Sequence, residues 1–165
     1  MAFSAYSGPV IRGYIADVSG VLTACEVGEF QPSFYGTECK ACMKGRYCPN
    51  EGMTNIASFL CKEGYWCDEG ITVSTPSGLS NGDECSVGKF CSGGLIHEQD
   101  CQDGFYSDVV GLSICTTCPA GYFCDSAVSV EPTACIKNSE CDLGIKRQPI
   151  CPPGMYKYTS SSGAE

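Results

Sequence analysis

Apolar side chains in this chain follow no helical period, and strand-like alternation is confined to one end. Over residues 10–22, Val10, Tyr14, Val18 and Leu22 fall on one face of an extended segment, and Ile11, Ile15 and Val21 on the other. A strand that is apolar on both faces calls for burial on both. Two readings of residues 1–24 therefore stand: a strand that adds onto a neighbouring subunit, or the remnant of a preceding domain or repeat. Beyond residue 24, a recurring apolar position is a single aromatic behind a glycine, in the motif Cys-x-x-Gly-x-aromatic. It reads CEVGEF from Cys25, CMKGRYC from Cys42, CKEGYWC from Cys61, CSVGKFC from Cys85, CQDGFY from Cys101 and CPAGYFC from Cys118. CPPGMY from Cys151 is a further copy, and CDLGI from Cys141 is a degenerate one.

A longer period lies over the short one. Cys25, Cys39, Cys42 and Cys48 recur as Cys101, Cys115, Cys118 and Cys124, each 76 positions on, while Cys61 and Cys67 recur as Cys135 and Cys141, 74 positions on. A fixed period of this kind is the signature of a repeat architecture. It divides the chain into an extended N-terminal segment (1–24), a cysteine-rich superunit (25–67), an insert around Cys85 and Cys91 (68–100), a second superunit (101–141) and the start of a third (142–165). The cysteine anchors each motif, the glycine permits a turn, and the aromatic covers a neighbouring disulfide. No stretch free of Gly and Pro exceeds 11 residues. The expected fold is therefore small and disulfide-rich: tandem repeats of short β-hairpins and loops forming an elongated rod, with one helical turn near Met53–Phe59.

Composition sharpens this reading. Leu, Ile, Val and Phe together make 32 of 165 residues, and the net charge is −9. Without cross-links such a chain lies near the disordered regime. Fifteen cysteines move it to a disulfide scaffold, which belongs in an oxidising, extracellular or cell-surface compartment. Zinc fits poorly with a single histidine, His97, and two CxxC pairs 76 residues apart. Ten Lys plus Arg do not suit nucleic acid or anionic lipid, and no segment reaches the ~20 apolar residues of a membrane span. Asn50, Asn55, Asn81 and Asn138 lack the N-glycosylation pattern; Ser and Thr at 72–77 and 159–162 are candidate O-glycan acceptors.

The order C-x2-G-x-F…C-x2-C-x2-G-x-Y-C…C-x2-G-x-W-C resembles the cysteine-rich modules of tumour-necrosis-factor receptors. It is also similar to ephrin-receptor-type repeats of secreted and surface proteins. The resemblance covers about residues 25–165. It implies pairs Cys25–Cys39 and Cys101–Cys115, crossed pairs Cys42–Cys61 with Cys48–Cys67 and Cys118–Cys135 with Cys124–Cys141, and a local pair Cys85–Cys91. Cys151 is left unpaired in this span; on the spacing of Cys25 and Cys101 its mate falls at position 165, occupied by Glu165. That pattern reads as a repeat interrupted by the end of the given chain.

Candidate chemistry is sparse. A redox-active CxxC requires a helix N-terminus to lower its thiol pKa, and Cys39–Cys42 and Cys115–Cys118 stand in links between repeats. His97 has Glu98, Asp100 and Asp103 nearby in sequence but no nucleophile partner. The ion that the acidic loops suit best is calcium, on Asp68 and Glu69 or on Asn81, Asp83 and Glu84, but the loop pattern of a dedicated site is missing. The expectation is a chain with neither catalytic residues nor cofactor. Leu22-Thr23-Ala24-Cys25 matches a lipoprotein processing box, but Arg12 and Asp17 interrupt the apolar stretch such a signal needs. Two function classes follow. One is a structural repeat protein of a filament, appendage or matrix that self-associates through Val10, Ile11, Tyr14, Ile15, Val18, Val21 and Leu22. The other is a ligand-binding ectodomain that grips another extracellular protein with a flexible tip at Gly93, Gly94, Leu95 and Ile96.

Overall fold

The computed structural model describes residues 10–125, 129–135 and 141–145, and no helix occurs among them. Short strands pair only as two-stranded antiparallel ribbons. They are β1 (Tyr14–Ala16) with β2 (Leu22–Ala24), β3 (Glu29–Phe30) with β4 (Lys40–Ala41), β5 (Tyr65–Cys67) with β6 (Gly82–Glu84), β7 (Lys89–Phe90) with β8 (Gln99–Asp100), β9 (Phe105–Tyr106) with β10 (Thr116–Thr117), and β11 (Tyr122–Phe123) with β12 (Thr133–Ala134). The chain divides into two compact units, Met1–Cys85 with Cys91–Glu98, and Ser86–Phe90 with Gln99–Glu165.

Backbone bonds around the motif glycine define the repeat. We label X the residue three before that glycine and Z the residue three after it. In the first unit the glycine N–H donates to the carbonyl at Z of the next copy, and its carbonyl accepts from the N–H at X of that copy. Gly13 does so with Gln31 (2.9 Å) and Cys25 (2.9 Å), and Gly28 with Cys48 (2.8 Å) and Cys42 (2.7 Å). Gly45 follows with Cys67 (2.8 Å) and Cys61 (3.0 Å), and Gly64 with Cys91 (2.8 Å) and Cys85 (2.9 Å). Within the second unit Gly88, Gly104 and Gly121 make the same two bonds to Ser107 and Cys101, Cys124 and Cys118, and Cys141 and Cys135. The N–H at Z is in turn satisfied beyond the following turn, Gln31 on Met53 O, Cys48 on Ile71 O and Cys67 on Leu95 O. A chain with so few aliphatics thus satisfies its backbone from copy to copy, as solenoids do.

The glycines allow this close stacking. A Cβ on Gly13 would lie 2.1 Å from the carbonyl oxygen of Gly52, and one on Gly45 2.2 Å from that of Gly94. Between copies lie small cores: Phe30, Cys42, Cys48, Met53 and Ile56 with Phe59 against them, then Cys61, Cys67 and Ile71 with Tyr47.

Five disulfides join X to Z within one copy: Cys42–Cys48, Cys61–Cys67, Cys85–Cys91, Cys118–Cys124 and Cys135–Cys141, with Cα–Cα separations of 5.8, 6.4, 5.9, 6.0 and 6.5 Å. The crossed pairs implied by the receptor resemblance are therefore replaced by uncrossed ones. The physical reason is the turn: in Cys42–Cys48, Cys61–Cys67, Cys85–Cys91 and Cys118–Cys124 a positive-φ glycine midway between X and Z, Gly45, Gly64, Gly88 or Gly121, folds the two cysteines onto each other. Cys42 and Cys61 belong to successive copies, held by the Cys61 N–H to Gly45 O bond instead of by sulfur. Cys25–Cys39 and Cys101–Cys115 do form, each with a sequence separation of 14.

Three further expectations change. Residues 10–24 do not run on as one strand. Asp17 and Gly20 turn the chain so that Tyr14 pairs with Ala24 and Ala16 with Leu22, and Gly13 enters the ladder as a cysteine-free first copy, with Val10 at X and Ala16 at Z. The apolar residues of this segment are divided by the hairpin: Tyr14, Ile15 and Leu22 are half-buried, whereas Ile11, Val18 and Val21 are exposed. Residues 53–59 form no helix: Met53 O accepts from Gln31 N–H, residues 53–56 run without regular structure, and a single turn at residues 57–58 is closed by Phe59 N–H to Ile56 O. Gly93–Ile96 is no free tip: Gly94 N–H donates to Cys61 O and Leu95 O accepts from Cys67 N–H. Cys151, the residues at 159–162 and the third superunit beyond residue 145 lie outside the described residues.

Candidate functional site

The copies that open at Cys25 and Cys101 make no X–Z disulfide, and they are related by the 76-residue period. At Z they carry Gln31 and Ser107 where the neighbouring copies carry cysteine, and both side chains are buried, at 3% and 0% exposure. Burial of a polar side chain demands partners. Gln31 Nε2 donates to Glu38 O, and Gln31 Oε1 accepts from Ser33 N–H; Ser107 Oγ donates to Val109 O. Hydrogen bonds therefore organise these copies where sulfur closes the others.

The freed X cysteines, Cys25 and Cys101, reach instead to Cys39 and Cys115 at the far end of loops 31–39 and 107–115. Cys39 and Cys115 are half-buried, whereas both members of Cys42–Cys48, Cys61–Cys67, Cys85–Cys91 and Cys118–Cys124 are at most 1% exposed. The two loops carry exposed apolar side chains: Phe34 and Tyr35 in the first, Val109, Val110 and Ile114 in the second. Tyr35 has φ 60°, in the left-handed region, and its N–H donates to Val10 O; Gly111 takes φ 73° at the equivalent place. The Arg12 guanidinium stands 4.6 Å over the Phe34 ring. Beside the second loop a shallow apolar groove of about 210 Å³ is lined by Phe90, Gln102, Phe105, Ile114 and Cys115.

The sequence-level candidates for chemistry do not converge. Cys39 and Cys42 bond different partners, as do Cys115 and Cys118, so neither CxxC is a dithiol pair. His97 lies against Trp66, ring centroids 6.4 Å apart. Asp68 is paired with Lys44 at 2.9 Å, which holds its carboxyl below the ordinary range and raises the lysine. Asp83 Oδ1 accepts from Gly78 and Glu84 N–H, which lowers its pKa in the same direction. Asn81 Nδ2 donates to Glu69 O, and Tyr65 Oη donates to Glu84 Oε1 at 2.9 Å, which raises the phenol. The candidate calcium ligands thus bond their own loops and Lys44, and among the described residues no group of three or more His, Cys, Asp or Glu is placed to hold a metal ion.

Sequence reasoning passed over Gln31 and Ser107. The signal was present, since each stands six residues after a motif cysteine, where cysteine follows Cys42, Cys61, Cys85 and Cys118. No helix among the described residues is long and apolar enough to cross a membrane. No family model matches this chain, and no curated protein matches it either.

Proposed function

We infer that this chain is a non-enzymatic extracellular structural protein, a stacked-repeat subunit of a surface appendage, filament or matrix. The observation that carries this reading is the backbone ladder, made at seven successive motif glycines from Gly13 to Gly121 without help from side chains. The position after the glycine varies freely in kind and charge, through Tyr14, Glu29, Arg46, Tyr65, Lys89, Phe105 and Tyr122. Such a repeat builds a frame and leaves its surface chemistry open, which suits a load-carrying part better than a reaction centre. Seven disulfides support an oxidising compartment. Exposed Thr75 and Ser77 can carry O-glycans there.

Electron microscopy and sedimentation of the unreduced chain over a range of concentrations test the reading. Regular assemblies support it; a monodisperse monomer at every concentration sinks it.

A second reading rests on the groove at Phe90, Phe105 and Ile114: a ligand-binding ectodomain that takes an apolar segment of another extracellular protein. Saturable binding of such a partner by the monomer, abolished by Ile114→Asp, supports this reading instead.

A further inference from the structure

The seven disulfides fall into classes that differ in what they hold and in what can reach them. We propose that Cys25–Cys39 and Cys101–Cys115 are sites of thiol–disulfide exchange, opened by an external dithiol at Cys39 and Cys115 while the repeat ladder stays folded. The proposal is independent of the assembly reading.

Three observations carry it. The first is access: an attacking thiolate must reach a sulfur, and Cys39 and Cys115 are half-buried while the eight cysteines of Cys42–Cys48, Cys61–Cys67, Cys85–Cys91 and Cys118–Cys124 are at most 1% exposed. The second is redundancy. In these two copies the turn is already organised without sulfur, by Gln31 on Glu38 and Ser33 and by Ser107 on Val109. The ladder bonds of Gly28 and Gly104 also involve neither Cys39 nor Cys115. The third is containment. Cys39 and Cys42 flank β4, and Cys115 and Cys118 flank β10, so the sulfur next along the chain from each released thiol is that of Cys42 or Cys118, bonded to Cys48 or Cys124. Those four cysteines are at most 1% exposed, which keeps a released thiol from passing the exchange on to them.

The exchange balances as follows. A dithiol thiolate attacks Cys39 Sγ, the Cys25–Cys39 bond breaks, and the electron pair leaves on Cys25 Sγ, which takes up a proton. The second dithiol sulfur, as thiolate, attacks the mixed disulfide and releases Cys39 as a thiol after protonation. The protein disulfide gains two electrons, and the dithiol becomes a disulfide. Cys101–Cys115 follows the same course at Cys115. The product is a chain in which loops 31–39 and 107–115, with the exposed Phe34, Tyr35, Val109, Val110 and Ile114, keep the β3–β4 and β9–β10 pairings at their ends but lose the sulfur link to Cys25 and Cys101. Cys135–Cys141 has one half-buried member, Cys135, but as an X–Z pair it closes no such loop.

The experiment titrates the native, unreduced chain with dithiothreitol, traps thiols with a maleimide and maps them by peptide mass spectrometry, with amide exchange followed in parallel. At the dithiothreitol concentration where Cys25, Cys39, Cys101 and Cys115 are mostly trapped, labelling at each of the eight buried cysteines is expected to be at least tenfold lower. Protection at Cys42 and Cys118 N–H, which report Gly28 and Gly104, persists. Simultaneous or earlier trapping of any of the four buried pairs overturns the proposal. So does loss of the Cys42 or Cys118 protection when the two accessible pairs open.

Discussion

Gln31 stands in its copy of the repeat where Cys48 stands in the next: Gly13 N–H bonds the carbonyl of the one and Gly28 N–H the carbonyl of the other, at 2.9 and 2.8 Å. The backbone does not distinguish the two positions. Only the side chain decides whether the X cysteine closes its own turn or reaches 14 residues onward, as Cys25 does to Cys39.

Restoring the cysteine at that place redirects the pairing. In Gln31→Cys, Cys25 is expected to bond residue 31 and leave Cys39 as a free thiol. Peptide mapping of the oxidised variant checks this; a retained Cys25–Cys39 bond with a free thiol at 31 contradicts the equivalence of the two positions.

The cysteine-free first copy makes a complementary test. Val10 and Ala16 occupy X and Z around Gly13, so the double variant V10C/A16C is expected to form an additional six-residue-spaced disulfide. Closing a loop of ~7 residues stabilises by about 2.4 kcal/mol in the chain-entropy account. Mapping of the new bond and denaturant unfolding with and without reductant measure both parts.

The motif glycines are not equivalent under substitution. Gly45→Ala places its Cβ 2.2 Å from the Gly94 carbonyl oxygen at φ +75°, whereas Gly121→Ala at φ +84° meets nothing within 4 Å. Left-handed backbone alone costs ~1–2 kcal/mol for a non-glycine residue. Gly121→Ala is expected to lose about that much. Gly45→Ala is expected to lose more, because two backbones must part, and chemical denaturation of the two variants compares them directly.

Acid loosens one loop in a defined direction. The Gly78 and Glu84 amides hold the Asp83 carboxyl below its ordinary pKa. That contribution is full above the ordinary carboxylate range and is lost as pH falls through the lowered value. Amide exchange at Gly78 is expected to accelerate there, and Asp83→Asn, which keeps an acceptor without titrating, to remove the acid step. Tyr65, raised by its bond to Glu84, runs the other way: its contribution holds below the ordinary phenol range and is lost as pH rises through the raised value.

Much of the fold was legible in the chain, and the reason is chemical. Cys-x-x-Gly-x-aromatic names its own turn, because cysteine pairing, glycine conformation and aromatic cover are local properties. The same locality hid the connectivity. The receptor resemblance implied that Cys42, Cys48, Cys61 and Cys67 pair among themselves, but only placement shows Cys42 closing on Cys48 instead of crossing to Cys61. Residues 10–24 escaped for a related reason: with Val10 and Ala16 in place of cysteines, their copy of the turn carries no sulfur mark.

The sequence by itself determined that this chain is a cross-linked array of small turns, since too few aliphatics and too many cysteines admit no other stable form. Tertiary structure alone decided that Gly13 belongs to the ladder, that Cys42 closes on Cys48 and Cys61 on Cys67, and that Gln31 and Ser107 are buried. Those facts depend on which carbonyl each amide meets in the neighbouring copy. That is a relation between residues from 12 (Cys25 to Gly13) to 28 (Cys67 to Leu95) positions apart, which no local pattern of side chains records.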